Sequence, residues 1–236
     1  QDFISALEEN GIPFLVLTNN SIFTNRDLSA RLANSGLKVP EEHIWTSANA
    51  TAAFLSQQSP NSTAYVIGEA GLTTALHTAG YVMTDQDPEY VVLGETRFYD
   101  FYALTTAIRL IERGAKFIAT NPDVSGPSDE GTLPAAGSIA AMIQAATGKA
   151  PYFVGKPNPV MIRAGLNKIG AHSEQAAMVG DRMDTDVRAG VEAGMRTFLV
   201  LSGSTHSDDV ANFPYRPFRI YDGIGDLIRY VQPASN

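Results

Sequence analysis

The sequence predicts an α/β protein built around a parallel sheet, and three observations carry that prediction. Short apolar runs alternate with helical stretches almost without interruption, the pattern of strands joined by right-handed helical crossovers. Most of the runs are continuously apolar, as strands covered on both faces are. The helical stretches have readable ends, with side-chain caps at the start and glycine at the stop.

In chain order, strands are expected at residues 12–17, 44–46, 64–67, 90–93, 116–119, 151–154, 176–179, 197–201 and 218–221. Thr24 followed by Asp27 begins a capping-box-like start for the helix that carries Leu28 and Leu32, and Gly36 ends it. Asp100 is placed to cap a helix with Leu104, Ile108 and Ile111 on one face, closed by Gly114. Gly148 and Gly170 stand where two further helices should stop. Gly, Pro, Ser and Asp cluster over 121–134, which reads as a loop. Residues 1–10 read as a helix with Phe3, Ile4 and Leu7 on one face, feeding straight into the strand at 12–17. That is the back half of a βαβ unit, whose first strand is expected upstream of Gln1.

The 236 residues are 44% hydrophobic and 18% charged, enough for one large or two modest cores. A formal net charge of −8, with no basic run, argues against nucleic-acid binding. It leaves room for a small phosphorylated ligand, because one Lys and one cation invert the potential locally. With no cysteine, disulfides, thiolate nucleophiles and Cys-based metal sites are excluded. No apolar run approaches the ~20 residues that span a bilayer. A cytoplasmic protein is expected, and association into a homodimer is left open.

Three short segments could carry chemistry. Leu17-Thr18-Asn19-Asn20 follows an apolar strand, at the sheet edge where open α/β folds bind ligands. A hydroxyl, amides and backbone N–H groups there suit phosphate oxygens, although Asn-Asn is also ordinary turn composition. Gly155-Lys156-Pro157 sets a lysine just after the strand at 151–154. Its ammonium suits phosphate and carboxylate; a solvated loop lysine is the plain alternative. Most informative is the stretch from Met178 to Asp186, in which a strand delivers Gly180 and Asp181 before Asp184 and Asp186 follow at a helix start. Grouped carboxylates suit Mg²⁺. The competing explanation is helix capping, a part expected for Asp184. Three acids in six residues repel one another unless a cation or donors offset them.

Order and placement add what each segment lacks. Thr-Asn after one strand, Lys-Pro after a later one and Gly-Asp-…-Thr-Asp after the next resemble the second, third and fourth motifs of the haloacid dehalogenase (HAD) superfamily. The surrounding LTNN, TSANATAAFL, YVIGEAGL, TNPD, GSIAA, VGKPNP and VGDRMDTD resemble its NagD-like, p-nitrophenyl phosphatase branch, over about residues 12–203. The resemblance implies a doubly wound, Rossmann-like core at 1–59 and 150–236, with a smaller α/β cap domain inserted at 60–149. It implies Mg²⁺-dependent hydrolysis of small phosphate monoesters through an aspartyl-phosphate. Thr18 would bind the transferring phosphoryl group, with Asn19 and Asn20 adding donors, and Lys156 would stabilise phosphate and nucleophile. Asp181 would coordinate Mg²⁺, and Asp186 would orient a metal water or Lys156. Arg97, Asp123 and the 121–134 loop are candidates for facing the substrate. The pyridoxal-phosphate phosphatase branch carries a His in that loop, where this chain has about Gly126, which argues against that substrate.

The family's first motif, a strand ending in Asp-x-Asp that supplies the nucleophile, is absent upstream of Thr18. The nucleophile is expected upstream of this chain, and the chain alone is expected not to turn over. The rival is a non-catalytic phospholigand-binding protein on the same scaffold. A G-x-G-x-x-G after the first strand, a P-loop and a G-x-S-x-G elbow are all missing, which argues against dehydrogenase, nucleotide-binding and Ser-hydrolase readings.

Overall fold

A computed structural model describes residues 1–128 and 131–231. The strands are β1 (Val16–Thr18), β2 (Ile44–Thr46), β3 (Thr63–Ile67), β4 (Val82–Met83), β5 (Tyr90–Leu93), β6 (Lys116–Ala119), β7 (Ser125–Ser128), β8 (Gly131–Pro134), β9 (Tyr152–Phe153), β10 (Ala177–Gly180), β11 (Arg196–Val200) and β12 (Arg219–Tyr221). The α-helices are α1 (Asp2–Glu9), α2 (Asn25–Asn34), α3 (Ser47–Gln58), α4 (Ala70–Thr78), α5 (Phe101–Glu112), α6 (Ala136–Thr147), α7 (Pro159–Lys168), α8 (Arg188–Glu192) and α9 (Ile228–Val231). The chain divides into two compact units: Gln1–Val16, Ser29–Ile44 and Lys156–Asn236 form the first, and Leu17–Leu28 with Trp45–Gly155 form the second.

In the first unit, β10, β11 and β12 form a parallel sheet in that order, with Val179 opposite Phe198 and Leu199 opposite Ile220. Met183, Val187, Leu199 and Val210 pack as its buried cluster, with Leu201, Phe213 and Tyr215 against them. His43 stacks on Phe14 at 4.3 Å between ring centroids, and its Nδ1 donates to the Phe14 carbonyl. That is a structural use of a histidine.

The second unit holds a five-stranded sheet ordered β4-β3-β5-β6-β9, every pairing parallel. All four residues of β5 are buried, as its unbroken apolar sequence requires of a strand covered on both faces. Leu104, Ala107, Leu110 and Ile111 of α5 pack with Val91, Leu93 and Phe117 of the sheet and Ile143 of α6. The Asp100 side chain accepts from the Tyr102 and Ala103 backbone N–H groups, the expected cap of α5. Thr24 and Asp27 exchange the bonds of the expected capping box. Thr46 caps α3 in a further box with Asn49.

Three expectations are corrected. The first strand begins at Val16 rather than residue 12, because only three residues pair with β2 and Ile12 is exposed. The 121–134 segment is not all loop: β7 and β8 form an antiparallel hairpin, with residues 129–130 outside the described residues. Asp184 does not cap the π-helical turn Met183–Val187. Arg182 takes it instead, donating from Nε at 3.1 Å and Nη2 at 2.8 Å.

Candidate functional site

In the first unit, the carboxyl end of β10 delivers Asp181. Its Oδ2 accepts the Ser204 backbone N–H at 2.7 Å, and its carbonyl accepts the Thr205 N–H at 3.1 Å. The segment after β11 therefore grips Asp181 at two points. Burial raises the Asp181 carboxyl, but the hydrogen bonds from Ser204 and the nearby Lys156 charge outweigh it, so the group lies below the usual carboxylate range. It is an ionised carboxylate at neutral pH.

Lys156 and Asp186 are brought together. The Lys156 Nζ donates to Asp186 Oδ1 at 2.7 Å, while Asp186 Oδ2 accepts the Arg182 N–H at 3.2 Å. Close approach of the strand makes this possible: a Cβ on Gly180 would lie 2.3 Å from the Asp186 Cβ and 2.4 Å from its Oδ2. Any side chain at 180 would displace the acid. Asp184, paired with Arg182 and largely exposed, stands apart from this group.

Asp181 could hold a metal as a single hard oxygen donor. Among the described residues, no group of three or more His, Cys, Asp or Glu could enclose an ion. A full protein cage of the zinc or calcium kind does not fit these residues. Mg²⁺ does, since it keeps several waters and takes one or two carboxylates with substrate phosphate.

In the second unit, Thr18 ends β1 and starts a tight loop. Its Oγ1 accepts the Asn20 N–H at 3.1 Å, an interaction in which the hydroxyl hydrogen takes no part. Asn20 Oδ1 accepts the N–H groups of Ile22 and Phe23, an Asx-type turn. Asn19 Nδ2 donates to Asp123 Oδ2 at 2.8 Å, so one oxygen of Asp123 is engaged with Asn19. Arg97 is exposed. Reading the sequence did not single out Ser204, Ser47 or Asn121, although Asn121 is fully buried. A backbone N–H and a lone Ser or Asn carry no spacing signal. Asn121 entered only as the first residue of the 121–134 loop and within the TNPD string.

Family comparison adds to this geometry. Residues 1–82 match the haloacid dehalogenase-like hydrolase family, and residues 153–227 match a HAD-hydrolase-like family. A dihydroxyacetone phosphatase of Corynebacterium glutamicum (strain R) is 62% identical over 225 residues, covering 95% of this chain and 82% of that protein. The chain belongs to the haloacid dehalogenase-like hydrolases, in their NagD-like branch. The ribonucleotide monophosphatase NagD of Escherichia coli (strain K12) is 43% identical over 96% of this chain and 89% of its own length. The crystal structure of a 4-nitrophenylphosphatase from Thermotoga maritima matches with a TM-score of 0.92 at 35% identity, covering 98% of this chain and 89% of that one. The chain is thus a phosphoric monoester hydrolase of small phosphate substrates, with the HAD fold.

Proposed function

We propose that this HAD hydrolase is a Mg²⁺-dependent phosphatase whose preferred substrate is a three-carbon phosphate of the dihydroxyacetone phosphate kind. The observation that carries the chemistry is the buried Lys156–Asp186 pair near an ionised Asp181. Phosphoryl transfer is mainly a matter of positioning and charge neutralisation, and these side chains supply both. The 62% identity to a dihydroxyacetone phosphatase supports the substrate choice.

Each residue has a part. Thr18 donates its hydroxyl hydrogen to a phosphoryl oxygen, and Asn19 and Asn20 complete that donor loop. Lys156 neutralises charge that grows on the transferring group, and Asp186 holds its ammonium in place through the 2.7 Å hydrogen bond. Asp181 holds Mg²⁺, which when bound acts as Lewis acid and template for the phosphate. The nucleophile is none of these residues. Residues 1–59 and 150–236 act as the catalytic core, and 60–149 as the cap that excludes water and selects the leaving group, bounds that follow the family resemblance and do not coincide with the two compact units. The enzyme works in the cytoplasm, with a small phosphorylated metabolite as its partner.

Phosphate release from a panel of monoesters tests this. Dihydroxyacetone phosphate should give a kcat/KM at least about tenfold above ribonucleoside monophosphates, hexose phosphates and an aryl phosphate, the discrimination a few contacts provide. A ribonucleotide preference would overturn the substrate assignment. Release from none of them, by the folded full-length protein with Mg²⁺ present, would overturn the activity.

A further inference from the structure

The Thr18 loop lies across the carboxyl ends of β5, β6 and β9 in the second unit, and nearly every residue of it is tied down there. The Asn19 carbonyl accepts from Ser47 Oγ at 2.6 Å and from Asn121 Nδ2 at 3.0 Å. The Asn19 amide donates to Asp123, and the Asp123 N–H donates back to Asn121 Oδ1 at 3.1 Å. These contacts close a ring that runs from Asn19 through Asp123 and Asn121 to Asn19 again. Fully buried Ser21 accepts the Glu95 N–H at 2.8 Å, and the Ile22 carbonyl accepts the Gly71 N–H at 2.8 Å. Gly155 closes the far side: a Cβ there would meet the Thr120 carbonyl oxygen at 2.4 Å and Asn19 Oδ1 at 2.8 Å.

We infer that Asp123 is a positioning residue, which fixes Asn19 so that the Asn20 N–H orients the Thr18 hydroxyl. The inference rests on the reading of Thr18 as a phosphate donor. The chain of contacts is short. With its carbonyl pinned by Ser47 and Asn121 and its amide by Asp123, Asn19 has its side chain and following peptide set. That peptide carries the Asn20 N–H, which meets Thr18 Oγ1 and fixes the direction left for the hydroxyl hydrogen. A hydroxyl misplaced by about 1 Å from its reacting geometry loses up to roughly 10²-fold in rate. Asp123 is itself anchored, because its carbonyl accepts the Gly137 N–H at 2.9 Å where α6 begins. The base of the β7–β8 hairpin is thereby linked to the Thr18 loop.

The ring also explains why an acid serves better than a neutral group. A carboxylate only accepts, so the Asn19 amide must present its N–H and cannot flip without meeting a like dipole. Asp123→Asn retains an oxygen of the same shape, and Asp123→Ala removes the acceptor.

A double-mutant cycle with Thr18 tests the inference, using steady-state kinetics on dihydroxyacetone phosphate and an aryl phosphate. Asp123→Ala should lower kcat by about tenfold or more with both substrates at nearly unchanged KM, part of the loss a misplaced group produces. Asp123→Asn should recover most of that loss. In the Thr18→Ala background, Asp123→Ala should add little. Full additivity, a loss confined to one substrate, or an Asp123→Asn as impaired as Asp123→Ala would overturn the inference in favour of direct contact with the substrate or metal. Normal kinetics in Thr18→Ala would overturn the phosphate-donor reading and the inference with it, whereas an impaired Thr18→Ala beside a normal Asp123→Ala would overturn the inference alone. Should Asp123→Ala not fold, Ser47→Ala, which removes another tie on Asn19, must show the same non-additivity with Thr18→Ala.

Discussion

The Lys156 Nζ lies 2.7 Å from Asp186 Oδ1, with the two side chains 12% and 8% exposed. A pair this dry is stable only while both members are present. Removing one takes away the other's nearest opposite charge inside the protein, a loss of up to about 3–5 kcal/mol. Asp186→Ala should lower the unfolding free energy by about that amount in urea denaturation. Lys156→Met combined with Asp186→Leu should regain most of the stability and none of the catalysis. A single variant as stable as wild type would contradict the burial of this pair.

A second prediction concerns acid stability. Hydrogen bonds from Lys116 first, then from Ser62 and Ser59, hold the Glu89 carboxyl down at about 2. Its folded-state value is depressed, so its contribution to stability is present above the ordinary carboxylate value of about 4.3 and is lost as pH falls toward 2. The pair is solvent-facing, which keeps the effect modest. Glu89→Gln should flatten the fall of Tm between about pH 4.5 and 2.5, read by circular dichroism. An unchanged slope would contradict the assignment.

Glu95 has the opposite sign. Burial pushes its carboxyl up, the Asn121 hydrogen bond pulls against this, and the Asp123 charge adds to the rise. A raised folded-state value gives stability that is present at low pH and lost as pH rises through it. Glu95→Gln keeps an oxygen for Asn121 and cannot ionise. Its Tm relative to wild type should therefore climb as pH increases above the ordinary carboxylate range. A difference that does not vary with pH would contradict this.

Much of the fold was legible because burial on both faces writes itself into the sequence. The expected bounds of β5 and β6 match the structure residue for residue; β5 is a run without a polar break, and β6 becomes one after the exposed Lys116. The two-residue edge strand β4 is exposed along its length and carries no such signal. The hairpin strands Ser-Gly-Pro-Ser and Gly-Thr-Leu-Pro contain almost no β-formers, so composition spoke for a loop. At the site, Lys156 and Asp186 were named through the resemblance to the HAD motifs, because a lysine after a strand also reads as a solvated loop residue and an acid at a helix start as a cap. The Asn19–Asp123 bond spans 104 positions. Asparagine serves turns as readily as tertiary contacts, so no local pattern could announce its partner. Asp184 shows the converse, an acid at a helix start captured by the neighbouring Arg182 rather than by the backbone.

The measurement that bears most directly on the chemistry is a Mg²⁺ titration of phosphate release by wild type and Asp181→Asn, side by side. Wild-type activity should rise saturably with Mg²⁺ and fall to background in EDTA. Asp181→Asn, folded by circular dichroism, should be slower by roughly 10²-fold or more, the loss typical when a group that stabilises transition-state charge is removed. Undiminished release in EDTA, or an Asp181→Asn variant as fast as wild type, would contradict the assignment of the metal to this carboxylate.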